Sequence, residues 1–359
     1  MNKTKVAILG TGFIATIHSE SYKRFVNDAE VVAVFGRNKE KAKEFANHHG
    51  IASYYDSVET LLANEDVEVV DVCLPNYQHY YATMLALNSN KHVIIEKPLA
   101  MNLEEADEMI LLAKNKNLKL MYAEELCFAP KYERVRLLVE AGAVGEVYML
   151  KQAEKHSGPH SEWFYKSETA GGGVMMDMGC HALAWFRWMT NNSPVKSVYA
   201  DMKTVLHNEI SDCEDNTITI VEFENGVTAV AEDSWAKHGG MDDRIEVYGT
   251  KGVSYADLFR GNAALTYSKE GYDYAMEKAG NTEGWTFTVY EEAFNQGYPQ
   301  ELMHFIDCVR NNKKPLVTGE DGRAVLEIIN AAYASAKRGV KIEFPFNETA
   351  KKPIDFLLK

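Results

Sequence analysis

A chain of 359 residues that is 46% hydrophobic and 25% charged has an ordinary globular composition and is long enough for two hydrophobic cores. Its formal net charge of −14, with no cluster of Lys and Arg, excludes nucleic acid and an anionic membrane surface as partners, because neutralising phosphates needs grouped cations. Cys73, Cys127, Cys180, Cys213 and Cys308 are odd in number and lack CxxC spacing, so they read as buried thiols in a reducing compartment rather than a disulfide framework or a zinc site.

The N-terminus enters a core strand with no signal-peptide segment, and no apolar run approaches membrane-spanning length, so a cytoplasmic protein is expected. The strand Lys5–Leu9 feeds Gly10-Thr11-Gly12-Phe13-Ile14-Ala15, a GxGxxA turn that opens a helix. Gly10 permits the tight turn, Gly12 lets the backbone approach a pyrophosphate, and Ala15 lets the helix pack on the sheet. The first helical positions, Phe13 and Ile14, bring backbone N–H groups to the anion. Further apolar runs follow at Val31–Phe35, Val69–Cys73, His92–Ile95 and Leu118–Tyr122, separated by helical stretches around 39–48, 80–88 and 103–116. Continuous apolar strands alternating with helices predict a doubly wound parallel sheet, an α/β Rossmann domain over residues 1–124.

The pattern changes near residue 125. A helix at 131–141 precedes strands at 146–152, 195–204, 217–224, 227–234, 244–248 and 253–257. Phe223 to Val227 and Gly249 to Gly252 read as hairpin connections, which implies antiparallel pairing. An α+β domain with a large, mostly antiparallel open sheet is therefore expected over 125–359. Helices at 300–310 and 321–337 are expected to pack on it, 340–343 to close the sheet, and Gly271 to Trp285 to form a loop.

Oxidation of a secondary alcohol moves a hydride to a nicotinamide and a proton to a base. Lys97 is placed for that base, at the carboxyl end of a strand and before Pro98, which restricts it to extended backbone. Its reference pKa of about 10.4 would have to be lowered by burial or a nearby positive group. The competing reading is a strand-end lysine paired with a carboxylate such as Glu96. Asp177 and His181 are four apart and would share one helix face, able to hold a substrate hydroxyl or simply to satisfy each other. Gly171-Gly172-Gly173 before them would leave room for a ligand. His156, His160, Asp177 and His181 lack metal-ligand spacing, so no metal is expected.

Taken together, the GxGxxA turn, Pro75-Asn76-Tyr77-Gln78-His79, Glu96-Lys97-Pro98 and Gly171 to His181 resemble the glucose-fructose oxidoreductase / inositol dehydrogenase / MocA (Gfo/Idh/MocA) family, as does the ending from Glu301 to Gly339. The resemblance spans essentially the whole chain. It implies an NAD(P)-dependent dehydrogenase of a sugar, polyol or glycoside, with catalytic residues Lys97, Asp177 and His181 and a Lys–Pro bond that is often cis. Cofactor contacts are expected from Gly10, Gly12, Phe13, Ile14, Gly36, Arg37, Asn38, Leu74, Pro75, Asn76, His79, Glu96 and Lys97. Substrate contacts are expected from His156, Trp163 and Tyr165 besides the catalytic three, since aromatic faces pack on sugar C–H groups. The family usually has an asparagine where this chain reads Tyr122-Ala123-Glu124-Glu125, which changes the polarity expected near the nicotinamide.

The ribose-reading position, roughly 20 residues beyond the turn, reads Phe35-Gly36-Arg37-Asn38 and holds no acid. The cofactor is NAD or NADP, and Arg37 tilts the expectation to NADP because a guanidinium suits a 2′-phosphate; Arg37 could equally be a solvated loop residue beside an Asn38 that caps the next helix. Two other functions remain compatible with the motifs: a glycosidase that oxidises its substrate transiently on held NAD, and a dinucleotide-binding regulatory protein without turnover. A homodimer or homotetramer is expected from a sheet face left bare of helices.

Overall fold

Val6, Ala7, Ile8 and Leu9 are each fully buried, as a strand covered on both faces requires. They belong to β1 (Thr4–Leu9), which with β2 (Ala29–Phe35), β3 (Ser53–Tyr55), β4 (Val69–Val72), β5 (His92–Ile95) and β6 (Leu120–Tyr122) forms a sheet in the order β3-β2-β1-β4-β5-β6. Every pairing in it is parallel. The strand order reverses between β1 and β4, so the crevice for a ligand opens beyond the carboxyl ends of those strands. The computed structural model describes residues 2–260, 263–270, 283–289 and 291–358. The short edge strand β3 is not among the predicted elements, because three half-buried residues carry no periodic signal.

Local chemistry sets the helix boundaries. Asn38, Ser57 and Asn102 each accept a backbone N–H three residues on, capping the helices Lys39–His49, Val58–Asn64 and Leu103–Asn115. Gly50, in the left-handed region, ends the first of these.

The chain divides into two compact units, Met1–Phe128 with Gly297–Leu326, and Ala129–Gln296 with Glu327–Lys359. A single cut after residue 124 therefore misassigns the segment 297–326. The helix Tyr298–Arg310 buries Leu302, Phe305 and Ile306 in the first unit, where the Phe305 ring meets Phe128 edge-on at 5.8 Å. It was expected on the second sheet. Its amphipathic stripe predicts burial but not the surface that provides it.

In the second unit, β7 (Val147–Lys155), β8 (Val195–Lys203), β9 (Asn216–Phe223), β10 (Thr228–Ser234), β11 (Asp242–Gly249), β12 (Gly252–Asp257) and β15 (Ile342–Glu343) form a sheet in the order β12-β11-β7-β10-β9-β8-β15. Both expected hairpins, β9–β10 and β11–β12, are present. The sheet is mixed, because β7 and β10 run parallel. Alternate residues of β9 are buried, and the helix Cys180–Met189 is apolar and buried along most of its length. Two further strands, β13 (Ala263–Ser268) and β14 (Gly284–Val289), pair by themselves. Of the expected loop Gly271 to Trp285, residues 271–282 lie outside the described residues, and Gly284 and Trp285 belong to β14. Among the described residues, no helix is long and apolar enough to cross a membrane.

Candidate active site

The glycine-rich turn is shaped for a pyrophosphate. Gly10 has φ +133°, and a Cβ there would lie 2.2 Å from the Cys73 carbonyl oxygen, so only glycine fits. Gly12 opens the helix Phe13–Phe25 with no side-chain cap, and a Cβ on it would meet nothing within 4 Å. That leaves space in front of a helix start whose first-turn N–H groups lack intrahelical acceptors. These residues fit a bound dinucleotide.

Around the ribose position, the Arg37 guanidinium donates to the Tyr77 hydroxyl at 3.3 Å. Asn38 is occupied as the cap of the next helix, accepting the Lys41 N–H at 3.0 Å. Gly36 is closed in, since a Cβ would approach Thr11 Cγ2 to 2.8 Å. Leu74, Pro75 and Asn76 form the loop after β4, with Asn76 buried in a short 3-10 turn. Both ring nitrogens of His79 are turned to backbone carbonyls. Its ring is buried between the carbonyls of Leu74 at 2.7 Å and Pro98 at 2.8 Å, and burial holds its pKa below the ordinary imidazole value. Its part is to tie the loop after β4 to the turn that carries Lys97.

Lys97 lies two residues beyond β5, forms a cis peptide with Pro98 and is half-buried. Glu96 turns inward. One of its oxygens accepts the Lys97 backbone N–H at 3.1 Å, and the other lies 3.2 Å from His18 Nε2, close enough for an ion pair though off the hydrogen-bond line. Burial opposes the Glu96 charge, but His18 and Lys97 bring its pKa below the usual carboxylate value. The register Ile95↔Tyr122 of β5 and β6 sets Lys97 and Glu124 at the same level beyond the strand ends. Glu124 is fully buried, and burial pushes its carboxyl up to about 8 against the pull of Lys97. A groove of about 330 Å³ lined by Lys114, Lys119 and Lys314 lies at the opposite end of β6 and plays no part here.

In the second unit, Asp177 and His181 do not sit on one regular helix as expected. Met175–Gly179 is a π-turn that passes into the α-helix Cys180–Met189. Both residues are buried, at 8% and 3% exposure. Asp177 accepts the Trp235 indole N–H at 3.0 Å, which fixes its carboxylate. Gly172 and Gly173 serve packing rather than ligand approach: a Cβ on Gly172 would lie 2.1 Å from the Tyr333 hydroxyl, and one on Gly173 would lie 1.8 Å from the Glu214 carbonyl oxygen. Glu214 also accepts the Gly173 and Met175 N–H groups and the Tyr333 hydroxyl, with burial raising its pKa to about 7.

The aromatic candidates have partners of their own. Trp163 stacks on Phe164 at 3.7 Å, exposed His160 meets the Phe164 edge, and Tyr165 meets Trp235 edge-on at 5.7 Å. His156 is buried at the end of β7 and accepts the Gly158 N–H on Nδ1 at 3.0 Å.

Residues 4–124 match the family described as "oxidoreductase family, NAD-binding Rossmann fold", and residues 132–254 match the GFO/IDH/MocA C-terminal domain. The chain belongs to the Gfo/Idh/MocA oxidoreductase family. Among curated members, it is 28% identical over 343 residues to myo-inositol 2-dehydrogenase of Thermotoga maritima, covering 94% of this chain and 98% of that protein. It is 29% identical over 353 residues to D-glucoside 3-dehydrogenase of Escherichia coli, covering 94% and 97%. The crystal structure of GenD2 from gentamicin A biosynthesis, in complex with NAD, superposes with a TM-score of 0.90 at 28% identity over 97% of each chain. This chain is thus an NAD-binding dehydrogenase of the family.

No sequence signal singles out His18, Asp71, Glu214 and Trp235 as partners of the candidate residues and their neighbours. Each is a single side chain whose partners are remote in sequence, such as Asp71 for His18 and Asp177 for Trp235. Motif spacing carries no trace of such pairs. The sequence marks only the segment Tyr122-Ala123-Glu124-Glu125, which departs from the asparagine of the family pattern.

Proposed function

We propose that this dehydrogenase transfers a hydride reversibly between NAD or NADP and a secondary hydroxyl of a sugar, polyol or glycoside. The nicotinamide, when bound, supplies the hydride chemistry. Lys97 and His181 accept and return the alcohol proton, and Asp177, steadied by Trp235, orients the hydroxyl. Trp163 and Tyr165 offer aromatic faces, and His156 a polar tip, to the rest of the ring. Two relatives bear the names of an inositol dehydrogenase and a glucoside dehydrogenase, which supports the substrate class.

The observation that carries the reading is the placement of Lys97. It stands at the carboxyl edge of β5, in the sheet whose switch point holds the open Gly12 cradle, and its turn is fixed by Glu96 and His79. At the ribose end, the absence of an acid and the exposed Arg37 favour NADP alongside NAD. The test is a panel of inositols, aldoses and glycosides offered with NAD and with NADP, read by nicotinamide absorbance and product mass. The expected result is net cofactor reduction with a ring alcohol converted to a ketone. Glycoside cleavage without net reduction, or cofactor binding with no turnover on any substrate, would overturn the proposal.

A further inference from the structure

His18 lies on the first helix of the dinucleotide-binding unit, where the proposed chemistry makes no use of it. Its Nδ1 is 2.9 Å from Asp71 Oδ2, and its Nε2 is 3.2 Å from Glu96 Oε1. All three side chains are buried, His18 and Asp71 completely. A neutral imidazole has one N–H, so a ring with a carboxylate beside each nitrogen is best balanced as the imidazolium, which hydrogen-bonds Asp71 through Nδ1 and stands at ion-pair distance from Glu96 through Nε2. From Glu96 the array continues to the Lys97 backbone N–H. We infer that the buried array Asp71–His18–Glu96 is a positioning relay for Lys97, in which the His18 cation holds Glu96 inward and offsets its charge beside the reactive amine.

The neighbours support this charge state. Burial works against charging His18, yet Asp71 outweighs it and holds the pKa well above the ordinary imidazole value. Tyr22 faces the array from the same helix, and Cys73 from the end of β4. Glu301 and Tyr298 face it from the helix Tyr298–Arg310, with the Glu301 carboxyl raised well above its usual range by burial. Glu124 and His79 complete the surroundings of Glu96 and Lys97, and Glu125 lies beside Glu301. Burial favours the proton-bearing forms of Glu301 and Glu124, which leaves His18, with Lys97, to offset the Glu96 charge.

The inference rests on Lys97 being the proton-transfer group, and its test is kept independent of turnover. Competitive acetylation with acetic anhydride, read by peptide mass across a pH series on the full chain, gives the midpoint at which the Lys97 amine becomes reactive. In H18Q, Glu96 loses its offsetting cation and favours the ammonium, so the midpoint rises by about 0.5–1 pH unit. In E96Q the adjacent anion is gone and the midpoint falls by a similar amount. Opposite shifts are not expected from loss of packing alone. H18Q should also keep NADH affinity within a few-fold, and its pH profile of alcohol oxidation should move with the labelling midpoint. A midpoint that H18Q leaves in place overturns the relay; should H18Q not fold, an unmoved midpoint in the near-isosteric E96Q overturns it instead. A fully active K97A would sink the proposed catalytic role while leaving the labelling result interpretable.

Discussion

At Glu124, a carboxyl raised to about 8 keeps its proton at neutral pH and so presents Lys97 with no full negative charge. This acid, in the segment that departs from the family pattern, therefore behaves much as a neutral hydrogen-bonding group would. Its cost appears in stability. The folded chain holds this proton up to about pH 8, whereas the unfolded chain releases it near its ordinary value of 4.5, so the folded state binds more protons between those limits. Stability from this group is accordingly lost as pH rises through that window and stays low above it. We expect E124Q to raise Tm relative to the parent at about pH 9 and to leave it nearly unchanged at about pH 4, as measured by thermal unfolding at the two pH values. A Tm gain equal at both values would show that Glu124 does not titrate in the window assigned to it.

Among the elements, the two glycine segments look alike in sequence but do opposite work. Gly12 has ordinary backbone angles and open space where a Cβ would go, whereas Gly172 packs against the Tyr333 hydroxyl. Gly12→Ala is therefore expected to leave unfolding stability within about 0.5 kcal/mol while weakening NADH binding at least tenfold. Gly172→Ala is expected to destabilise by about 1–3 kcal/mol through overpacking; denaturant unfolding and NADH titration of both variants check the pair. The Rossmann half was legible because strands buried on both faces, such as Val69–Val72, read as unbroken apolar runs. In the second half, alternation located the strands of the larger sheet, but no local signal told that β7 pairs parallel with β10. The π-turn was hidden for a similar reason: a spacing of four fits it as well as it fits an α-helix. Lys97, Asp177 and His181 could be singled out because motifs surround them. Their supports, Glu96 aside, could not, because His18 and Trp235 meet their partners only in the folded chain.

For the whole molecule, one face of the larger second-unit sheet leaves Tyr199, Ile218, Val253 and Tyr255 exposed. Apolar side chains in such number on a sheet face favour a symmetric partner. Light scattering is expected to give a mass of two or four chains, and I218K to lower it without loss of helix and strand content; a monomeric parent would contradict this. Of the proposed catalytic residues, Lys97 belongs to the first unit and Asp177 and His181 to the second. The most direct test of that account is the rate of nicotinamide reduction by K97A on the best ring alcohol of the substrate panel, with NADH affinity measured in parallel. The account requires a fall of about 10²-fold or more with affinity kept within a few-fold. Parental turnover from K97A would contradict it.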